Sequence, residues 1–467
     1  MSSASFLSLL VSLFCSALLV SAAPGPGVRV TESFPPPPSS YDVMRHHPAP
    51  GAERNLPPAV LPQAVFSAPL HASAPRRQAK THALSHLVAT QSGAKATIPQ
   101  VSLTGAALDM EYLAQIVVGG QKFDAIVDTG SSDTWLIEDN FVCLNQSGQA
   151  QPPAGCNFGA ATYNKTESKT FKAFPNSSFA IVYGDGEYMS GAAMYETVNI
   201  GGLSVSSQEM GVVSKASWSG DGLSSGLLGL AYPALTSVRN GTKGPVMSYD
   251  PFFISAVKQH KTMHSYFSLA INRGTTRGEH SNAEPHLGYL SFGGIAPVPV
   301  TSTNVTVPVQ GYAVSPSGSN SSPFSYFAVD IQEYVFPQSA NVSSSNNNTI
   351  IDSGTTLNIL PAPVAQAYNA DIGTWRNGSY YVPCNATMPP FSVVLAGKSF
   401  SIDPRDQVVR AGTDNVTGED VCLSGTQSGG EDLGNDIFIL GDVFLHNVVA
   451  TFDVVKNSIT FSQRKKY

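Results

Sequence analysis

Charged side chains are scarce in this 467-residue chain: they make up 13% of the residues, and the net charge is −7 at neutral pH. A protein that binds nucleic acid needs a basic stripe to meet the phosphates, and the sequence has none. Cysteine is limited to five residues, whose spacing does not fit a metal site, and no histidine pair lies near them. We therefore expect no nucleic-acid partner, no metal and no other cofactor.

Long apolar runs are missing everywhere except at the N-terminus. Residues 6–20 form an apolar run of signal-peptide length, which is too short for a comfortable membrane span. The small-residue cleavage pattern Val20, Ser21, Ala22 follows it, although no Lys or Arg precedes the run. The sequence predicts a signal peptide over residues 1–22 and no membrane anchor.

Four cysteines remain once Cys15 leaves with the signal peptide, and in a secreted protein they allow three disulfide pairings. Pairing between nearest neighbours places one bridge in each half of the chain. These bridges would be Cys143–Cys156 and Cys384–Cys422.

The stretch that follows the signal peptide is rich in Pro, Ala, Ser and His, and it cannot bury a core of its own. Arg76-Arg77 lies within it and suits a processing protease that cleaves after dibasic sites. All Asn-x-Ser/Thr sequons lie beyond residue 100. We interpret residues 23–100 as a propeptide, with a mature start between residues 78 and 103, ahead of a glycosylated body.

Helical periodicity is scarce, whereas Val, Ile, Thr, Ser, Gly and aromatic residues are plentiful, which favours β-structure. The chain is long enough for two domains. Two apolar runs end in similar tetrapeptides, D-T-G-S at 128–131 and D-S-G-T at 352–355, and each is followed much later by a hydrophobic-hydrophobic-Gly element, at 226–230 and 438–442. The sequence predicts duplicated β-lobes that join near residues 290–295.

The repeated tetrapeptide suggests paired carboxylates. Each Asp would sit on a tight turn at the end of a buried strand, where neighbouring hydroxyls and amides can hold the carboxylate oxygens. If the two turns meet, Asp128 and Asp352 cannot both ionise, so they share a proton. The ionised partner can then take a proton from water while the protonated partner donates to a carbonyl oxygen. This pattern predicts a hydrolase with no covalent intermediate.

A second pattern points to a different class of enzyme. Residues 222–226 read G-L-S-S-G and fit the G-x-S-x-G nucleophile elbow, with Ser224 as the nucleophile. That elbow must lead into a helix, whereas here it leads into Leu-Leu-Gly-Leu. Serine catalysis is therefore disfavoured. The histidines show no H-E-x-x-H motif, and we expect them to be exposed to solvent.

From residue 101 to the C-terminus, the chain closely resembles the pepsin-like aspartic proteases (peptidase family A1) of the secreted fungal type. The motifs D-T-G-S-S-D-T-W at 128–135 and D-S-G-T-T at 352–356 match the two catalytic signatures, and V-Y-G-D-G at 182–186 matches the flap, the hairpin that closes over substrate. The resemblance implies an all-β, bilobal pepsin-like fold with lobes at 101–295 and 296–467 and a cleft between them. The Cys143–Cys156 loop is longer than usual in the family.

The resemblance also implies residue roles. Asp128 and Asp352 would form the catalytic dyad. The residues that would support the dyad are Thr129, Gly130, Ser131, Ser353, Gly354 and Thr355. The residues that would contact substrate or form the flap are Tyr183, Gly184, Asp185, Gly186, Trp135, Ile126 and Leu227.

Taken together, these features predict an aspartic endopeptidase that is secreted as a zymogen, is active at acidic pH and is sensitive to pepstatin-type compounds. It would bind protein and peptide substrates in extended form, act as a monomer, and reside outside the cell, with retention in the cell wall or vacuole left open. The alternative is a catalytically inactive pepsin-fold protein that serves as a binding protein or inhibitor.

Overall fold

The computed structural model describes residues 43–45, 66–70, 103–106, 111–145, 147–183, 187–274, 287–314, 324–341, 346–376, 378–413, 418–429 and 438–467. The predicted signal peptide, the Arg76-Arg77 site and Gly184, Asp185 and Gly186 lie outside these residues. None of the helices in the described ranges has the length and apolar character needed to cross a membrane.

The described chain is mainly β-structure, as predicted. Two strands come from the predicted leader, β1 (Val43–Arg45) and β2 (Phe66–Leu70). The three short α-helices among the described residues are α1 (Phe252–Gln259), α2 (Ala362–Asn369) and α3 (Asp442–Leu445). Single 3-10 turns cover Pro153–Gly155, Pro233–Leu235, Ser339–Asn341 and Pro404–Gln407.

The first half of the body forms one sheet of eleven strands. Its main path runs β13-β9-β10-β11-β6-β12-β5-β4-β3, with β7 beside β6 and β8 beside β10. The strands are β3 (Leu103–Ala106), β4 (Glu111–Val118), β5 (Gln121–Asp128), β6 (Trp135–Leu144), β7 (Ala150–Gln151), β8 (Lys172–Ala173), β9 (Ser177–Val182), β10 (Tyr188–Ile200), β11 (Leu203–Ser217), β12 (Gly226–Gly229) and β13 (Val238–Asn240).

A six-stranded sheet with the order β16-β31-β30-β14-β15-β2 contains strands from three distant parts of the chain. The leader strand β2 forms one edge, where it pairs antiparallel with β15, and β14 pairs with β30 from near the C-terminus. The strands of the body are β14 (Tyr266–Ile271), β15 (Gly288–Phe292), β16 (Val300–Pro308), β30 (Val448–Asp453) and β31 (Ser458–Arg464). This sheet therefore connects the two halves.

The second half forms smaller sheets, in the orders β18-β20-β29-β21-β28, β19-β24-β25 and β22-β23-β27-β26, while β17 (Tyr312–Val314) pairs with β1. The strands are β18 (Ala328–Ile331), β19 (Glu333–Val335), β20 (Asn346–Ile351), β21 (Asn358–Pro361), β22 (Thr374–Arg376), β23 (Ser379–Val382), β24 (Phe391–Leu395), β25 (Lys398–Ile402), β26 (Val408–Thr413), β27 (Asp420–Ser424), β28 (Thr426–Gly429) and β29 (Phe438–Leu440).

The strand β5 shows how the sequence pattern sets the position of the first tetrapeptide. Phe123, Ala125 and Val127 alternate along the strand and pack into the main hydrophobic core, whereas Ile126 points to the other face and joins a second cluster. Because both faces are buried, β5 ends inside the molecule, and Asp128 lies at its end. The repeat recurs in the second half, where β20 ends at Ile351.

Both nearest-neighbour disulfides are confirmed. Cys143 is bonded to Cys156 and Cys384 to Cys422, with Cα–Cα distances of 5.8 and 5.2 Å. Each bridge lies within one half of the chain.

The prediction of exposed histidines is wrong for His446, which is buried directly after α3. Its Nε2 lies 2.6 Å from the Tyr112 hydroxyl, and its Nδ1 lies 3.2 Å from Asp406 Oδ1. The Arg273 guanidinium also pairs with Asp406. Burial acts to raise the pKa of Asp406, but the hydrogen bonds and charges of His446 and Arg273 outweigh it and hold that pKa at about 2. The histidine is tolerated inside because both ring nitrogens have partners.

Candidate active site

The two repeated tetrapeptides meet at the centre of the molecule. Asp128 ends β5 and Asp352 directly follows β20, and both side chains are fully buried. The carboxyl group of Asp128 lies within hydrogen-bonding reach of Asp352. Gly130 passes so close that a Cβ atom added to it would lie 2.5 Å from Asp352 Cγ. Only a glycine fits at this point, because any side chain would displace the carboxylate.

Each carboxylate is held by the same pair of donors, a backbone amide two residues on and a hydroxyl three residues on. The four hydrogen bonds run from Gly130 N to Asp128 Oδ1 (2.7 Å), from Ser131 Oγ to Asp128 Oδ2 (2.5 Å), from Gly354 N to Asp352 Oδ1 (2.8 Å) and from Thr355 Oγ1 to Asp352 Oδ2 (2.6 Å).

Thr129 and Ser353 join the two loops beneath the carboxylates. The Thr129 amide donates to Ser353 Oγ at 3.2 Å, and the Ser353 amide donates to Thr129 Oγ1 at 3.0 Å. Each hydroxyl in turn donates to a backbone carbonyl of the opposite half, at Ile351 and Val127, both at 2.8 Å. A hydroxyl is all that this arrangement requires on either side, and Thr129 and Ser353 each supply one.

The electrostatics of the pair favour a shared proton. Burial, and then repulsion from Asp352, raise the pKa of Asp128 well above its usual range, while the hydrogen bonds from Ser131 and Gly130 act to lower it. Two adjacent buried carboxyl groups cannot both be ionised without a large cost, so the pair retains one proton over a wide pH range.

Tyr183 lies at the end of β9, beside the predicted flap tip. Its hydroxyl accepts a hydrogen bond of 2.8 Å from the Trp135 indole nitrogen. Burial raises the pKa of Tyr183 well above its usual range, so the hydroxyl stays neutral. Ile126 and Leu227 are paired in register on β5 and β12, and both belong to the hydrophobic cluster that contains Tyr183.

Sequence reasoning missed Trp218, which packs edge-on against both Tyr183 and Trp135 with ring centroids 6.0 and 5.8 Å apart. Trp218 follows β11 and lies 35 residues beyond Tyr183 in the chain. It belongs to none of the recognised motifs, and no spacing signal in the sequence marks it.

The raised pKa of Asp128 has a consequence for stability. In the unfolded chain the pKa of Asp128 is near 3.8, and in the folded state it is higher, so the folded state binds the proton more tightly. The free energy of unfolding therefore falls as the pH rises from about 3.8 to the pKa of the folded state. We expect Asp128→Asn to raise Tm by a few degrees at neutral pH and to change it little in acid, where wild type is also neutral. Thermal melts at both pH values test this, with the exposed Asp371→Asn as control. Equal destabilisation at both pH values would contradict it.

Comparison with known proteins agrees with this geometry. Residues 111–464 match the family of eukaryotic aspartyl proteases, so the chain belongs to that family and is an aspartic-type endopeptidase. A probable aspartic-type endopeptidase of Aspergillus fumigatus is 35% identical over 363 residues, which cover 75% of this chain and 78% of that protein. Rhizopuspepsin of Rhizopus chinensis is 28% identical over 380 residues, covering 79% and 83%.

The fold is confirmed by a solved structure, the aspartic proteinase from Irpex lacteus. It aligns with a TM-score of 0.58 at 20% identity and covers 78% of this chain and 98% of that one. The bilobal pepsin-like fold is thus established, and the family binds peptide substrates in a cleft.

Proposed function

We propose that the chain is a secreted aspartic endopeptidase that hydrolyses peptide bonds at acidic pH, with Asp128 and Asp352 as a dyad that activates water. The observation that carries this proposal is the buried, symmetric pair of carboxyl groups, each held by one amide and one hydroxyl. An inactive binding protein would have no use for this arrangement, and no feature of the described residues favours that alternative.

The mechanism needs both members of the dyad. A water bound between the carboxyl groups gives a proton to the ionised member as its oxygen attacks the scissile carbonyl carbon. The protonated member donates its proton to the carbonyl oxygen, which gives a tetrahedral species. This species releases the amine after the nitrogen of the scissile bond is protonated. Because reciprocal hydrogen bonds between Thr129 and Ser353 hold both loops, the two carboxyl groups need little reorganisation during the attack of water.

The neutral Tyr183 hydroxyl, fixed by Trp135, would cover the pocket beside the scissile bond. Ile126 and Leu227 would form an apolar wall there, which favours large apolar side chains next to the cleaved bond. Gly184, Asp185 and Gly186 would contact an extended substrate from the flap. The enzyme would act as a monomer, with no nucleic-acid or membrane partner.

The proposed chain organisation is a signal peptide over 1–22, a propeptide over 23–100, and lobes at 101–295 and 296–467. The pairing of β2 with β15 supports a zymogen, because the leader then takes part in the folded sheet. A basic leader residue, Lys80 or Lys95, would pair with the dyad at neutral pH and be released in acid; both lie outside the described residues. Mass spectrometry after acidification tests activation, and a fully active, uncut chain would contradict it.

Hydrolysis of denatured haemoglobin by the secreted protein at about pH 3–4, with and without pepstatin, tests the function. We expect cleavage that pepstatin abolishes and that declines towards neutral pH, because the dyad then loses its shared proton. Activity that peaks above neutral pH would contradict the shared proton. No cleavage after confirmed removal of the leader would favour the inactive, binding-protein alternative.

A further inference from the structure

Four aromatic rings, of Tyr183, Trp218, Phe158 and Trp135, pack together. Tyr183 packs edge-on against Trp218, and the ring of Trp218 lies parallel to that of Phe158, with centroids 5.9 Å apart and planes within 1° of parallel. Phe158 also lies edge-on to Trp135, the residue that donates to the Tyr183 hydroxyl. Phe158 is thus in contact with both of the tryptophans that touch Tyr183.

Phe158 lies in a short segment, residues 156–159, that we call the clamp. The clamp is hydrogen-bonded along its length to residues 220–224, the stretch between Trp218 and β12. The bonds run from Gly220 N to Cys156 O (3.0 Å), from Gly222 N to Asn157 O (2.7 Å), from Asn157 Nδ2 to Gly220 O (2.7 Å) and from Gly159 N to Ser224 O (2.8 Å).

The two backbones interlock closely at this point. A Cβ atom on Gly159 would lie 2.0 Å from the Leu223 carbonyl oxygen, so no other residue fits there without moving the chain. Asn157 adopts a left-handed conformation, with φ of +49°, that turns its amide towards Gly220. Because of this fit, a shift of the clamp would carry residues 220–224 with it.

The Cys143–Cys156 disulfide fixes the clamp to β6. Cys143 lies near the end of this strand, which begins at Trp135, and it is paired in register with Ala216 of β11, two residues before Trp218. The bridge therefore ties together the strand that carries Trp135 and the segment that carries Phe158. The rings join the same two parts of the chain, because Trp218 packs against both Phe158 and Trp135.

We propose that the Cys143–Cys156 bridge and Phe158 position the flap residue Tyr183 through Trp218, and so set the turnover number of the enzyme. The inference rests on the proposed function of the site. Neither Phe158 nor the bridge touches reacting atoms, so both are positioning elements. Trp218 acts by ring packing, because its buried indole nitrogen has no hydrogen-bond partner among the described residues.

The first test compares two variants of Phe158 in the processed, secreted enzyme. Phe158→Leu keeps an apolar side chain but removes the ring stack, and we expect kcat to fall by about 10-fold with KM changed by less than about 3-fold. Phe158→Tyr keeps the aromatic ring, at a position that is only half-buried. This variant should retain the wild-type kcat.

The second test uses the two disulfides as a matched pair. Cys143→Ser/Cys156→Ser and Cys384→Ser/Cys422→Ser each remove one bridge, and both should lower Tm. Only the Cys143→Ser/Cys156→Ser variant should lower kcat. The other bridge lies in the second half of the chain, where Cys422 is part of β27, and does not belong to the segment that carries Phe158. Titration of active sites with a tight-binding pepstatin-type compound separates slower turnover from a smaller folded fraction.

The outcomes separate this inference from the proposed function. Equal kcat per active site in wild type, Phe158→Leu and Phe158→Tyr would overturn the positioning role. So would an equal fall in kcat in both disulfide variants. A wild-type enzyme without pepstatin-sensitive activity would instead overturn the function proposed for the dyad. If the Cys143/Cys156 variant fails to fold, the Phe158 pair still decides.

Discussion

Asp128→Asn and Asp352→Asn should each lower kcat by at least about 10,000-fold on a peptide substrate at acidic pH. An amide in place of either carboxyl group cannot share a proton with its partner, and it cannot accept a proton from the attacking water. The remaining amide oxygen can still accept from the backbone N–H of Gly130 or Gly354, and the new NH2 group can donate to the hydroxyl oxygen of Ser131 or Thr355. Each substitution should therefore lower kcat while the protein still folds.

The control for the dyad variants is Ser224→Ala. Ser224 belongs to the G-x-S-x-G pattern, but its side chain is buried and its hydroxyl donates to Asp221 at 2.9 Å. We expect the control to keep wild-type activity. Full activity in either Asp variant would falsify the dyad mechanism, and an inactive but folded Ser224→Ala would return serine catalysis to consideration.

Gly130→Ala should reduce kcat by at least about 100-fold. The new methyl group would lie 2.5 Å from Asp352 Cγ and 2.6 Å from both carboxylate oxygens, so Asp352 must move away from Asp128. The substitution alters no group that takes part in the reaction, and its effect therefore measures how strictly the distance between the carboxyl groups is set.

Gly120→Ala is the matched control for this substitution. Gly120 lies in the turn between β4 and β5, and a Cβ atom there would meet nothing within 4 Å. Its φ of +87° means that Ala costs some stability there, but the active site is untouched. Assays of kcat and thermal melts on both variants test the prediction. Activity of Gly130→Ala close to that of the control would show that the loops adjust freely.

Much of the site is predictable because its chemistry is local in sequence. Asp128 and its two donors fall within four consecutive residues, and Asp352 repeats the pattern, so a short motif contains the amide and hydroxyl donors of each carboxylate. The apolar run that ends at Asp128 predicts a buried strand in the same way. The disulfides also follow from order in the chain, since each cysteine pairs with its neighbour.

What the sequence does not reveal depends on contacts between distant segments. Phe158 and Trp218 are 60 residues apart, and neither carries a signal that it will meet an aromatic ring. His446 has a polar side chain that composition assigns to the surface, yet partners from β4 and from residues 404–407 make its burial favourable. Only the folded topology brings such groups together.

The edge position of β2 has a consequence for the life of the processed enzyme. In the intact chain this strand is held against β15 at the high effective concentration that a covalent tether provides, on the order of millimolar. A cut between residues 77 and 103 would turn the same strand into a separate ligand, whose occupancy then depends on its free concentration and its dissociation constant. Dilution would then release it, and the vacated row of backbone amides and carbonyls on β15 would be open to another extended segment.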